Sequence, residues 1–141
     1  METKTHKTIS VVAGVIFKAD RVLVCQRHEK AAFALKWEFP GGKVESGEAD
    51  DAALRRELAE ELGIAVHGVR QIFQDRHAYP DGPEVALSFF KVLAYDGAVQ
   101  NLVFQRIEWV QLEQLNNFDF LEGDRRLISQ LTGIAGAAML A

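Results

Sequence analysis

The sequence predicts a single α/β domain over residues 1–141, with a mixed β-sheet and interspersed helices. Three observations carry that expectation. Runs rich in Val, Ile and aromatic residues recur at Ile9 to Phe17, Arg21 to Arg27, Val66 to His77, Val85 to Tyr95 and Ile107 to Val110, as strands require. Between the second and third run lies Glu48 to Leu62, free of Gly and Pro, made mostly of Ala, Leu, Glu and Arg, and followed by Gly63 as a stop signal. A content of 48% hydrophobic and 26% charged residues suits one domain with an ordinary core. No repeat, low-complexity tract or interdomain linker breaks the chain.

Taken in order, the first two runs flank Lys18-Ala19-Asp20, which has the length and polarity of a hairpin turn, so they read as two paired strands. A looser segment, His28 to Lys36, leads to Trp37-Glu38-Phe39-Pro40-Gly41-Gly42-Lys43-Val44, where strand formers surround a Pro-Gly-Gly break and predict short extended pieces about a tight turn. The helix at Glu48 to Leu62 carries Leu54, Leu58 and Leu62 every four residues, a stripe that is buried and orients the other faces. Gln111 to Asn116 and Asp124 to Leu131 read as further helices. Gly133 to Ala141 reads as either a frayed helix end or a docking segment.

Composition narrows the function. Cys25 is the only cysteine, so no intramolecular disulfide forms, and its apolar neighbours Val22-Leu23-Val24 make it a packed side chain rather than a nucleophile. The polar start Met1 to Lys7 lacks the pattern of a signal peptide, and no apolar run is long enough to cross a bilayer. The expected location is the cytoplasm. A net charge of −4 argues against long nucleic acid as a partner, because that binding depends on Lys and Arg neutralising phosphates. A small anionic ligand would need local help, such as a metal ion.

Glu57, Glu60 and Glu61 stand at i, i+3 and i+4 on the predicted helix, which puts three carboxylates on one face. Like charges at that spacing repel by a few tenths of a kcal/mol per pair, at roughly 0.2–0.5, and require water, a basic neighbour or a cation as compensation. Alone they read as well as a solvated acidic face. Their neighbours decide the matter. Gly42, Glu48, Arg56, Glu57, Leu58, Glu60, Glu61, Gly63 and Ile64 fill every specified position of a pattern in which Gly, five residues, Glu, seven residues and Arg-Glu precede an aliphatic, any residue, Glu-Glu, any residue, Gly and an aliphatic. Chance would produce this on the order of once in 10⁹ windows. On these residues the chain resembles the Nudix hydrolases, and Trp37 to Gly41 resembles their MutT-type branch.

The resemblance implies a Nudix α/β/α sandwich with a mixed sheet and a magnesium-dependent hydrolase, with Mn²⁺ as an alternative metal. By the same resemblance Glu57, Glu60, Glu61 and the Gly41 carbonyl hold the metal, Arg56 fixes a glutamate, and Glu48 orients its neighbours. These roles suit a hard cation that prefers oxygen ligands and a guanidinium that pairs with carboxylates through two bonds. The general base stays open: many relatives carry a glutamate where this chain reads Asn101-Leu102-Val103-Phe104-Gln105, leaving Glu60 or Glu61, with Glu84 as an outside candidate.

Substrate residues are expected at Arg27, Glu38, Phe39, Lys43 and Asp124. Arg27 and Lys43 would meet the nucleotide and its phosphates, or serve as surface cations. Phe39 would stack on the base, or fill the core. Asp124 would read the base or cap the last helix; if ionised it only accepts hydrogen bonds and so favours bases presenting donors, such as the cytosine amino group. One of Leu87 or Phe89 would line the pocket, while His77 and Tyr79 carry no assignment. The expected activity is hydrolysis of (deoxy)nucleoside triphosphates, oxidised or modified ones included, to nucleoside monophosphate and pyrophosphate. The alternatives are cleavage of a nucleotide sugar, ADP-ribose or dinucleotide, or a non-catalytic nucleotide sensor. The partner is a small-molecule nucleotide, and monomer and homodimer both remain open.

Overall fold

The computed structural model describes residues 7–133 and 136–141. Except for Lys7, the polar N-terminal segment lies outside the described residues. Among the described residues, eleven elements follow one another: β1 (Thr8–Val15), β2 (Phe17–Lys18), β3 (Arg21–Gln26), β4 (Trp37–Glu38), β5 (Gly41–Lys43), α1 (Asp50–Leu62), β6 (Ala65–Ala78), β7 (Glu84–Asp96), β8 (Arg106–Gln111), α2 (Arg125–Thr132) and α3 (Gly136–Leu140). Leu112–Asn117 and Glu122–Asp124 form 3₁₀ turns.

The strands form two sheets. In the first, the order is β5-β1-β7-β6, with β1 and β7 parallel and the other pairs antiparallel. In the second, β3 pairs antiparallel with β2, β4 and β8. The mixed character expected from the sequence is therefore present, and it comes from one parallel pair. The first two runs, however, do not form one long hairpin. Only Phe17–Lys18 pairs with Arg21 and Val22, around Ala19 at φ 56°, whereas β1 lies between β5 and β7. The reason is burial: Val12, Val15 and Ile16 are wholly inside, and a strand apolar on both faces is stable in the middle of a covered sheet, not on its edge.

Alternation along β1 and β3 divides the core. Val12, Ile16, Leu23 and Cys25 face α1 and pack with Leu54, Leu58 and Leu62. Ala13, Val15, Val22 and Val24 face the other way, toward Phe120, Leu127, Ile128 and Leu131. Helices thus cover both faces, as the sandwich requires. Each fully buried Leu contributes on the order of 1.5–3 kcal/mol, so the α1 stripe is a principal reason that this helix keeps its orientation.

Helix α1 begins at Asp50, two residues later than the sequence suggests. Glu48 is already engaged: its carboxylate accepts the Glu45 N–H at 3.1 Å and the Arg56 guanidinium at 2.9 Å. Asp50 and Asp51 lie in the first turn, where negative charge complements the helix dipole. At the other end Gly63 adopts φ 69° and donates its N–H to Ala59, the left-handed stop for which glycine is suited. The predicted helix at Gln111 to Asn116 is a 3₁₀ turn, and α2 starts one residue after Asp124. The tail docks: Lys91 Nζ donates to the Leu140 carbonyl at 2.7 Å, and Met139 and Leu140 pack on the α2 side of the core. No helix among the described residues is long and apolar enough to cross a membrane.

Candidate active site

One end of β1, the β4–β5 turn, the loop 27–36, the loop 79–83 and the Glu122–Asp124 turn surround a cavity of about 560 Å³. Its wall holds Arg27, Glu38, Gly41, Lys43, Glu61 and Asp124, six residues scattered over nearly a hundred positions of sequence. The volume lies within the usual range for small-molecule sites.

Two glycines make the acidic side of the cavity possible. At Gly41, with φ 157°, a Cβ would stand 2.0 Å from the Val12 carbonyl oxygen. The bare backbone lets this turn lie against β1, and the Gly41 N–H donates to Glu61 Oε1 at 3.0 Å. At Gly42 a Cβ would fall 2.4 Å from the Glu57 carboxyl carbon. Gly42→Ala is therefore expected to displace Glu57 and lower turnover by about 10- to 100-fold, as misplacing a supporting group does, with a folded circular dichroism spectrum; unchanged turnover would dissociate Glu57 from the reaction.

Arg56 organises the glutamates. Its Nε and Nη2 bond Glu48 at 2.9 Å, Nη1 bonds Glu57 at 2.9 Å, and Nη2 also reaches the Lys43 carbonyl at 3.0 Å. Glu60 Oε2 lies 3.7 Å from Nη1. Hydrogen bonds from Arg56 hold the Glu48 carboxyl down to about 2, so Glu48 is a permanent anion that anchors the guanidinium. Arg56 thus touches carboxylates and is not among the cavity-lining residues.

Glu61 is different. Burial pushes its carboxyl up to about 8, and the neighbouring Glu38 and Glu57 charges add to this, against the single stabilising N–H of Gly41. Burial likewise raises Glu57, opposed by Arg56. The three helix glutamates do not all converge: Glu61 faces the cavity, Glu57 is turned to Arg56 beside Gly42, and Glu60 is largely exposed. Among the described residues no three His, Cys, Asp or Glu side chains are gathered into a finished metal cage. The chemistry of the donors nonetheless fits a hard dication. All are oxygens, and the charge crowded around Glu61 is of the sign that such an ion neutralises.

Also on the cavity wall, Arg27 donates through Nη1 to both Glu38 oxygens, at 3.1 and 3.3 Å, and through Nε to the Ala32 carbonyl at 2.7 Å. Burial still raises the Glu38 carboxyl despite Arg27. Asp124 is only 5% exposed and makes no side-chain cap at α2; its Oδ2 accepts the Phe39 N–H at 3.3 Å. The capping reading is thus excluded by geometry. Burial, with Glu38 next, pushes the Asp124 carboxyl up to about 8, so near neutrality the group is mainly protonated and not the ionised acceptor expected from sequence. A neutral carboxyl both donates and accepts.

The ring of Phe39 is a core element. It is 2% exposed, edge-on to Phe89 at 6.3 Å and tilted against Phe120 at 5.5 Å. It touches the cavity wall but at 2% exposure presents little of its ring there, so of the two expectations the core reading is the one its packing favours; its backbone N–H serves Asp124. Of the two β7 candidates, Leu87 lines the cavity and Phe89 is wholly buried. Glu84 is paired with Arg76 at 2.8 Å and lies outside the cavity wall, which removes it as a candidate base. Residues 101–105 are folded back on themselves, Asn101 bonding Phe104 through both its amide atoms. Tyr79 and Phe33 both line the cavity. Neither has an assignment from sequence: the Tyr79-Pro80-Asp81-Gly82 turn is the one local signal for Tyr79, and Phe33 has none.

An acidic helix face beside a glycine turn, its arginine turned inward, defines a class. Residues 7–131 match the model of the NUDIX domain, and the chain belongs to the Nudix family as one of its hydrolases. Within that family it is similar to the 8-oxo-dGTP diphosphatase of Escherichia coli K12, 32% identical over 126 residues that cover 89% of this chain and 97% of the relative. It is also similar to the CTP pyrophosphohydrolase of the same organism, 31% identical with 93% and 96% covered. Among solved structures, the E. coli ORF135 protein superposes with a TM-score of 0.83 at 30% identity, over 97% of each chain.

Proposed function

We propose that this enzyme hydrolyses (deoxy)nucleoside triphosphates, oxidised ones included, to a nucleoside monophosphate and pyrophosphate with Mg²⁺ or Mn²⁺, in the cytoplasm. The observation that carries the reading is the cavity itself: a single wall presents Glu61, the glycine turn and Lys43 together with Arg27, Glu38 and Asp124. A polyphosphate suits the first group and a base suits Asp124. Glu57, Glu60, Glu61 and the Gly41 carbonyl would hold the cation, which when bound supplies neutralisation of phosphate oxygens and a more acidic water.

The remaining work falls to side chains. Lys43 and Arg27 supply fixed positive charge toward phosphate oxygens. Arg56 keeps Glu57 oriented and Glu48 keeps Arg56 in place, so the carboxylates need little rearrangement when substrate arrives. Glu61, the one helix glutamate on the cavity wall, is better placed than Glu60 to take a proton from water.

Asp124 bears on the base. As a neutral acid it matches an edge that offers a donor next to an acceptor. Cytosine has this with its amino group beside N3, and 8-oxoguanine with its N7–H beside O6. Unmodified guanine presents two acceptors on the N7 edge, N7 and O6, and offers a donor beside an acceptor only on its other edge, through N1–H and O6. The discrimination expected here is therefore for a purine read at its N7 edge. The names of the two E. coli relatives support the same pair of substrates. The test is a panel of normal and oxidised nucleoside triphosphates, nucleotide sugars and dinucleotides. Preference for CTP or 8-oxo-dGTP over dGTP by about tenfold or more in kcat/KM is expected. Turnover confined to sugars or dinucleotides, or tight nucleotide binding without turnover, would refute the assignment.

A further inference from the structure

Phe33 is a large apolar residue that stays 53% exposed, and its backbone is held at φ 53°, in the left-handed region that bulky residues avoid. The loop that carries it is nevertheless well tied. Arg27 Nε bonds the Ala32 carbonyl at 2.7 Å, the Lys36 N–H reaches the Phe33 carbonyl at 3.2 Å, and Gln26 Nε2 reaches the Leu35 carbonyl at 3.2 Å. The ring lies against Tyr79, with centroids 5.1 Å apart and planes at 43°. Tyr79 also meets His77 edge-on at 4.3 Å, a second aromatic contact that holds its ring. The Tyr79 hydroxyl sits over Gly123, where a Cβ would come within 3.2 Å of it. Gly123 immediately precedes Asp124, and both aromatic residues line the cavity.

We infer that Phe33 and Tyr79 form the aromatic wall on which the nucleobase of the substrate stacks, while Asp124 reads its edge. The inference rests on the nucleotide reading and adds the residues that select for the presence of a base. Stacking on aromatic faces is largely indifferent to base identity, because every base has a π-face. The pair therefore sets how strongly any nucleotide binds, and Asp124 sets which one. Phe39, the aromatic nearest in sequence to the glycine turn, also touches the cavity but is 2% exposed against 53% for Phe33, and so offers far less ring face.

The experiment is calorimetric binding of CMP, 8-oxo-dGMP and inorganic pyrophosphate to the full chain, in wild type, Phe33→Ala, Tyr79→Leu and Tyr79→Phe. Both ring-removing variants should weaken the two monophosphates about tenfold and leave pyrophosphate within about twofold, a margin below ~0.5 kcal/mol, while Tyr79→Phe keeps most of the affinity. An equal loss for pyrophosphate would mean general damage to the site and would overturn the wall. Unchanged monophosphate binding in both variants would overturn it too, as would a Phe33→Ala effect confined to oligomeric state, which would make Phe33 a subunit contact. Failure of the wild type to bind any nucleotide would instead overturn the parent reading.

Discussion

Glu61→Gln is expected to lower turnover about a thousandfold, the scale on which removal of a charge-stabilising group acts, while the metal-free protein melts no lower than wild type at pH 7. The amide keeps the shape and still accepts the Gly41 N–H now made at 3.0 Å. What it removes is a buried carboxyl group whose ionisation is opposed by burial and by Glu38 and Glu57. An activity loss accompanied by unchanged or higher thermal stability is the pattern of a residue kept for chemistry at some expense to folding. Steady-state kinetics and a melting curve in EDTA on one preparation check both halves. Retained turnover, or a marked fall in melting temperature, would make Glu61 structural.

Asp124→Asn is expected to flatten the pH dependence of both stability and substrate binding. In the folded protein the carboxyl titrates at about 8, against the ordinary 3.8. Between those values the unfolded chain has lost the proton and the folded one retains it, so stability falls as pH rises from about 4 to about 8 and then levels. Asn carries no such proton, and its stability advantage over wild type should grow through that window and stay constant above it. Binding follows the same logic. Wild-type KM should rise above pH 8 as the donor is lost, and the Asn variant, which keeps both a donor and an acceptor, should not follow. Asp124→Ala leaves the Phe39 N–H without its partner and should raise KM by about tenfold or more at any pH. Parallel KM profiles for wild type and the Asn variant would exclude Asp124 as a protonated reader of the base.

What could be read from the chain and what could not divide along physical lines. The α1 stripe was legible because Leu54, Leu58 and Leu62 repeat with the period of the helix, and the order of strands because apolar runs and Gly-Pro breaks are local signals. The contacts of Arg56 with Glu48 and Glu57 agree with what the resemblance implied for Arg56, that it fixes a glutamate; the metal-holding roles expected of the helix glutamates are not decided by these contacts. Register was not legible. That β1 joins β7 in parallel, not β3 in a hairpin, depends on the burial of both faces of Val12 to Ile16, which no local pattern states. The protonation of Asp124 was equally hidden, since it arises from burial under residues 85 positions away, as its bond to Phe39 records. Phe33 escaped notice because its importance lies in what it fails to do: it neither fills the core nor faces plain solvent, and only the folded chain shows it resting on Tyr79.

The proposed reaction, cleavage of a triphosphate between its α and β phosphorus atoms beside Glu61 with the help of a divalent cation, is open to one direct observation. ³¹P NMR of CTP or 8-oxo-dGTP incubated with the enzyme should show the monophosphate and pyrophosphate growing together in Mg²⁺, with neither appearing in EDTA or with Glu61→Gln. Release of orthophosphate with a nucleoside diphosphate, or pyrophosphate formation that continues in EDTA or in the variant, would contradict the account.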